Sequence, residues 1–389
     1  MLLKNRFHIK FFALYIILLP IATSLSGVIG SISFLNYIAV AYILTSLYNQ
    51  KFRIRFRRSA RAIYVYLFYV ILSVLWNAYF DFDWYIATTL INAVITVLAL
   101  SDTYSFKEQK LLKRSFLLSL LVALALTAVN IDSALSFRLT IVLFSEMDPN
   151  DFACGMLIIL SLLLEMLTRR DKVKTAIVAL ALTAGIILLS GSRGAMLMFV
   201  GVFAWWFIIS FKDQKIISVI ILALAIVFIA LITKILPEFL KGRLDINALI
   251  RSGGSGRSKI WIRAIEKFGE SNLLRKIFGY GYGGFEQAVY YIAPGHLEPY
   301  KSHNIFINSL IEGGIIGTII MLNMFVKSYF TAKRRNNVMG KLAVLGLAIA
   351  GCTLDMQAYR IFAVVFISAI IFNNKKRKKC KKKVVIKFL

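Results

Sequence analysis

The chain has 389 residues, of which 59% are hydrophobic, 17% are charged and five are proline, and its mean hydropathy is +0.74. Soluble domains are roughly 45–50% apolar, and so few charges cannot cover a water-exposed surface, so the bilayer is the expected solvent for most of the chain. The formal charge of +28 does not indicate nucleic acid, because the basic residues stand in short clusters between long apolar runs and not on one face of a soluble module. Three cysteines and three histidines are too few, and wrongly spaced, for a disulfide framework or a histidine-built metal centre, so no cofactor or metal is expected.

A helix needs about 20 apolar residues to cross a bilayer. On that criterion spans are predicted near 10–29, 32–48, 62–80, 84–100, 114–130, 152–168, 175–191, 194–211, 216–236, 303–326, 341–357 and 359–373. No small-residue cleavage site follows the first, which is read as a retained span. The expected fold is an all-α integral membrane protein of about 12 transmembrane helices, one transmembrane domain over 1–389. A long extracytoplasmic loop, 237–302, separates spans nine and ten, and a basic tail occupies 374–389.

Numbering the connections alternately places 33 of the 47 basic residues on one side. They include the run from Lys51 to Arg61, the pair Arg169 and Arg170, and the tail from Lys375 to Lys387. By the positive-inside rule that side is cytoplasmic, with both termini inside. Ten of the remaining fourteen lie in the 237–302 loop, which also holds His296, with His303 directly after its end.

Candidate chemistry follows in chain order on the outer side. Arg138 is a stray charge in an apolar stretch and a weaker candidate for binding phosphate. Met147-Asp148-Pro149-Asn150-Asp151 reads as a turn and helix cap, with Asn150 or Asp151 closing the next helix. Leu189-Ser190-Gly191-Ser192-Arg193-Gly194-Ala195 joins two apolar spans. Its small residues permit a tight turn, and the Arg193 guanidinium either grips a phosphate bidentately or snorkels to lipid headgroups. In the long loop, Arg257, Trp261, Ala264, Ile265 and Phe268 have the spacing of an amphipathic surface helix. Arg257 then stands at its first turn, where an anion is favoured. Phe278-Gly279-Tyr280-Gly281-Tyr282-Gly283-Gly284-Phe285 lacks the surrounding βαβ unit of a dinucleotide site and reads as a tight, aromatic-flanked turn. Finally, His303 precedes Asn304 and the tenth span. A lone histidine is commonly structural, but a neutral imidazole here suits a base, with His296 as rival in a Pro-Gly loop.

Together these blocks resemble the O-antigen ligase and polymerase family of membrane glycosyltransferases. The resemblance covers roughly 138–320 and includes Glu312-Gly313-Gly314-Ile315-Ile316-Gly317; outside it the chain matches only as apolar spans. It implies that Arg193 and Arg257 hold a lipid diphosphate and that His303 is the base. It also implies an inverting, metal-independent transfer at the outer face of the bacterial cytoplasmic membrane. The donor is a polyprenyl-diphosphate-linked oligosaccharide and the partner substrate a glycan acceptor, with the bilayer and other polysaccharide-assembly membrane proteins around it. Polymerisation of lipid-linked repeats of a capsule, exopolysaccharide or O-antigen is preferred, since it needs one substrate type. The alternative is ligation to a lipid core, protein or wall polymer. A transporter or flippase is the reading from another class, disfavoured because mid-span charges are few and no repeated halves are evident.

Overall fold

Long runs of Leu, Ile, Val, Ala and Phe in a medium without water leave each backbone group only its own helix to bond with. The computed structural model describes residues 6–21, 34–77, 84–142, 146–211, 215–216, 218–224, 227, 241–242, 256–290 and 301–373. Within these, α1 (Phe7–Ile17), α2 (Phe34–Asn49), α3 (Arg61–Ser73), α4 (Trp84–Ser101) and α5 (Phe106–Val129) form the first third. The short α6 (Ile131–Ser136) and a two-stranded ribbon, β1 (Ile141–Val142) against β2 (Glu146–Met147), lead into α7 (Pro149–Gly155) and α8 (Leu157–Thr168). Next come α9 (Val173–Leu189) and α10 (Arg193–Phe211). Three connecting helices, α11 (Arg257–Glu270), α12 (Leu273–Phe278) and α13 (Phe285–Val289), precede α14 (Ile305–Arg334), α15 (Val338–Gly351) and α16 (Arg360–Ile371).

Among the described residues, five stretches are long and apolar enough to cross a membrane: Arg58–Trp76, Phe106–Val129, Pro149–Thr168, Arg193–Phe211 and Ile305–Arg334. The chain is a multi-pass α-helical membrane protein. Helices lie in the described parts of the other expected spans, apart from 216–236, most of which falls outside the described residues, as do 22–29 of the first span, 78–80 of the third, His296 and the tail from 374. One expected span ends early. Its helix stops at Gly351, and residues 352–359 form a polar connection carrying Thr353, Asp355 and Gln357.

The centre of the bundle is α8, α15 and α16, buried along almost their whole lengths. Helix α15 packs on α8, α10, α14 and α16. Glycines permit this closeness: a Cβ on Gly346 would run into Leu157 and Val202, and one on Gly340 would lie 2.8 Å from the Ala369 backbone.

Polar groups collect at the two ends. At one end Arg6 bridges Asp102 (2.5 Å) and Glu108 (2.8 Å), and His8 Nε2 pairs with Asp102 at 2.7 Å. There too Lys113 pairs with Glu165, whose other oxygen accepts from Met339 N at 2.9 Å, while Arg169 donates to the Asn336 carbonyl at 2.9 Å. These residues come from the connections that alternate with those bearing Arg138, Arg193, Arg257 and His303.

Candidate active site

The turn between α9 and α10 is built by its own serines. Ser190 Oγ accepts from Ser192 N (3.1 Å), Gly191 takes φ +60°, and Ser192 Oγ accepts from Ala195 N (3.3 Å). Arg193 thereby opens α10. Arg138 fastens this turn to the preceding loop. Its Nε donates to the Ser190 carbonyl (2.9 Å) and its Nη2 to Asn150 Oδ1 (3.2 Å).

The cap of the following helix differs from the expectation. Asp148, not Asn150 or Asp151, is the cap, accepting from Asn150 N at 2.7 Å with Pro149 as the first helical residue. Proline has no N–H to satisfy and a φ suited to helix entry, so the acid before it takes the cap. Asn150 is left to receive Arg138.

Helix α11 begins at Arg257 after Gly256 at φ +83°. Its buried face is Ile260 and Ala264, packed with Phe285, Ala288, Val289 and Ile311. Trp261 and Phe268 flank that face, whereas Ile265, expected on it, is 57% exposed. Trp261 Nε1 donates to the Ser302 carbonyl (2.8 Å), which anchors the segment carrying His303. Asn304 caps α14, its Oδ1 accepting from Phe306 N (3.0 Å) and Ile307 N (3.2 Å). Between the anchor and the cap, His303 adopts φ +47°.

All three blocks meet the 352–354 segment. Arg257 Nη1 donates to the Thr353 carbonyl at 2.5 Å, and Asn304 Nδ2 to the Cys352 carbonyl at 3.1 Å. A Cβ on Gly194, next to Arg193, would strike Thr353 Oγ1. Burial lowers the His303 pKa to about 4, with Arg257 adding to the effect and Asp148 opposing it. The imidazole is therefore neutral at physiological pH and lies within the field of Arg257.

Beside this cluster the glycine turn docks into a break in α14. Gly314 has φ +63° and ψ −165° inside the helix. Across the break Tyr280 N donates to the Ile311 carbonyl and Gly281 N to the Glu312 carbonyl, both at 2.9 Å. A Cβ on Gly279 would collide with the Glu312 carbonyl, and one on Gly314 with that of Ile277. Tyr69 Oη takes up the Gly313 carbonyl at 2.6 Å.

Sequence reasoning misses several residues here. Tyr69, Asn77 and Tyr85 lie in stretches that read only as apolar spans, yet Asn77 Nδ2 donates to the Tyr282 carbonyl (2.9 Å) and Tyr85 stacks on Tyr282 (5.1 Å). The 352–357 segment falls at the end of an expected span, although Thr353, Asp355 and Gln357 interrupt the apolar pattern there and are a usable signal.

In this multi-pass helical bundle the Arg193 turn, Arg257 and the His303–Asn304 segment all meet one short polar connection, which makes that place the candidate site. Residues 178–322 match the family model described as O-antigen ligase. Over that stretch the match supports the resemblance to the O-antigen ligase and polymerase family seen in the sequence. The matched stretch contains Arg193, Arg257, the glycine turn, His303 and Glu312. A comparison with curated proteins finds no match.

Proposed function

We propose that the protein transfers glycan from a polyprenyl-diphosphate-linked oligosaccharide to an acceptor hydroxyl at the outer face of the cytoplasmic membrane. It would span the bilayer about twelve times with both termini inside, leaving the 237–302 loop outside. The observation that carries this reading is the meeting of the Arg193 turn, Arg257 and the His303–Asn304 segment, through Asn304, on the 352–354 segment.

In the transfer, the acceptor oxygen bonds to the sugar C1 while the C1–O bond to diphosphate breaks. The bonding pair leaves with the diphosphate, and the hydroxyl proton passes to the neutral His303 imidazole. Charge grows on the departing phosphate oxygen, where Arg193 and Arg257 stabilise it. Arg138, tied to Ser190 and Asn150, adds positive charge at the turn and holds it in shape. One displacement inverts the anomeric centre. The leaving group is already activated and two cations are at hand, so the reaction needs no divalent metal.

Polymerisation of lipid-linked repeats is the preferred outcome, because donor and acceptor are then one substrate type; ligation to a different acceptor uses the same chemistry. Purified protein in liposomes, given lipid-linked repeat oligosaccharide and excess chelator, should yield a ladder of longer lipid-linked chains. Transfer only after addition of a separate lipid core or wall polymer would make it a ligase. Activity restored specifically by magnesium or manganese would overturn the metal-free mechanism.

A further inference from the structure

Next to the arginine–histidine cluster lies a polar pocket, partly open to the surface. Tyr85, Glu286, Lys301, Asn308, Glu312 and Asp355 are among its lining residues. Two of its walls continue the first cluster, since Lys301 stands two residues before His303 and Asp355 two residues after Thr353.

Glu312 is the anomaly. It is 3% exposed, its Oε1 accepts from Gly283 N at 3.0 Å, and its Oε2 has no hydrogen-bond partner among the described residues. A buried carboxylate oxygen without a partner is costly, and such a group commonly awaits a ligand. The other polar groups of the pocket form an incomplete chain. Asn308 Nδ2 donates to Tyr85 Oη (3.3 Å), and Tyr85 Oη reaches Asp355 Oδ2 only at 3.4 Å. Carboxylates accept hydrogen bonds and hydroxyl groups supply donors, and Phe285, buried in the adjoining apolar cluster, also lines the pocket. A ring with several hydroxyls and one C–H face combines both demands.

We propose that this pocket is a sugar subsite, in which Glu312 and Asp355 accept hydrogen bonds from hydroxyls of the acceptor glycan and so hold its attacking sugar beside His303. This rests on the glycosyl-transfer reading and gives that site its acceptor-binding residues. Glu312 and Asp355 are positioning residues here.

Two probes separate this subsite from the cation cluster in the full-length protein in lipid nanodiscs. They are the repeat oligosaccharide freed from its carrier lipid, followed by saturation-transfer NMR, and polyprenyl diphosphate without glycan. Glu312→Gln keeps an oxygen for Gly283 N, and Asp355→Asn keeps the side-chain shape. Each should weaken oligosaccharide binding by roughly tenfold, within the usual worth of a buried hydrogen bond, and leave polyprenyl diphosphate binding as it was. Arg257→Ala should show the opposite pattern. Tyr85→Phe, a milder change, should weaken the oligosaccharide by a smaller factor and guards against misfolding of the acid variants. No oligosaccharide binding by the wild type, wild-type binding by both acid variants, or equal loss of both probes would overturn the subsite. Failure of the glycosyl-transfer reading is read separately, as absent turnover by a wild-type protein that still binds the oligosaccharide.

Discussion

His303 sits in the left-handed region at φ +47°, a conformation costing a non-glycine residue on the order of 1 kcal/mol. The neighbours impose it, because Trp261 holds the Ser302 carbonyl on one side and Asn304 is committed to capping α14 on the other. The imidazole is held neutral first by burial and then by Arg257, with its pKa lowered to about 4. Such a pKa makes a weak base in the empty site, but an anion bound at Arg257 cancels part of the field that depresses it, so diphosphate binding should raise the pKa. The sign follows from the proton bookkeeping: only neutral imidazole accepts, so activity falls as pH drops through the pKa of His303. In kcat/KM, which reports the free enzyme, this fall belongs near pH 4; in kcat, which reports the donor-bound enzyme, it moves to higher pH. Acid limbs at one pH in both profiles would argue against this coupling. The candidacy of His303 was legible from its place before an apolar run. The choice of cap among Asp148, Asn150 and Asp151 was not, since all three side chains can cap and only the fold directs Arg138 to Asn150.

The break in α14 receives the glycine turn beside the candidate site. Gly279 and Gly314 approach opposing carbonyls too closely for any side chain, and both also take positive φ. Gly279→Ala or Gly314→Ala should therefore push the glycine turn off α14, with a thermal unfolding temperature well below wild type and loss of transfer. Gly185 in α9 has open space where a Cβ would stand and an ordinary helical φ, so Gly185→Ala should be neutral or stabilise by about 0.5–1 kcal/mol. A melting temperature for Gly314→Ala equal to that of Gly185→Ala would contradict the docking. The sequence marked the glycine stretch as a turn, and Gly279, Gly281 and Gly283 do take positive φ. It could not show the partner. The run Ile311-Glu312-Gly313-Gly314-Ile315 continues an apolar pattern on both sides, and hydropathy does not register a backbone that leaves and re-enters a helix.

Across the whole molecule, alternation of the connections orders the polar chemistry. The carboxylates of Asp102, Glu108 and Glu165 pair with basic residues at one end, while Arg138, Arg193, Arg257 and His303 gather at the other. Burying these groups in hydrocarbon is expensive, so each set stays at its own end of the bundle. In a cysteine-free background, Glu270→Cys at the end of α11 should react with an impermeant thiol reagent on intact cells. Asn336→Cys between α14 and α15 should react only after permeabilisation. Both positions are exposed in the bundle, so labelling of Asn336→Cys from outside would reverse the orientation. This arrangement was legible because apolar length and basic clusters are one-dimensional signals. The contribution of the first third was not, because Tyr69, Asn77 and Tyr85 lie within or beside apolar helices and gain their roles only by contact with the glycine turn and α14.

The central claim is that the arginine–histidine cluster performs glycosyl transfer with His303 as its base, and single-turnover transfer from lipid-linked oligosaccharide by His303→Ala tests it most directly. The transfer rate should fall by roughly 10²–10⁴, the usual worth of a general base. Binding of polyprenyl diphosphate should stay near wild type, and His296→Ala should transfer normally. Transfer by His303→Ala at close to the wild-type rate, or a collapse confined to His296→Ala, would contradict the claim.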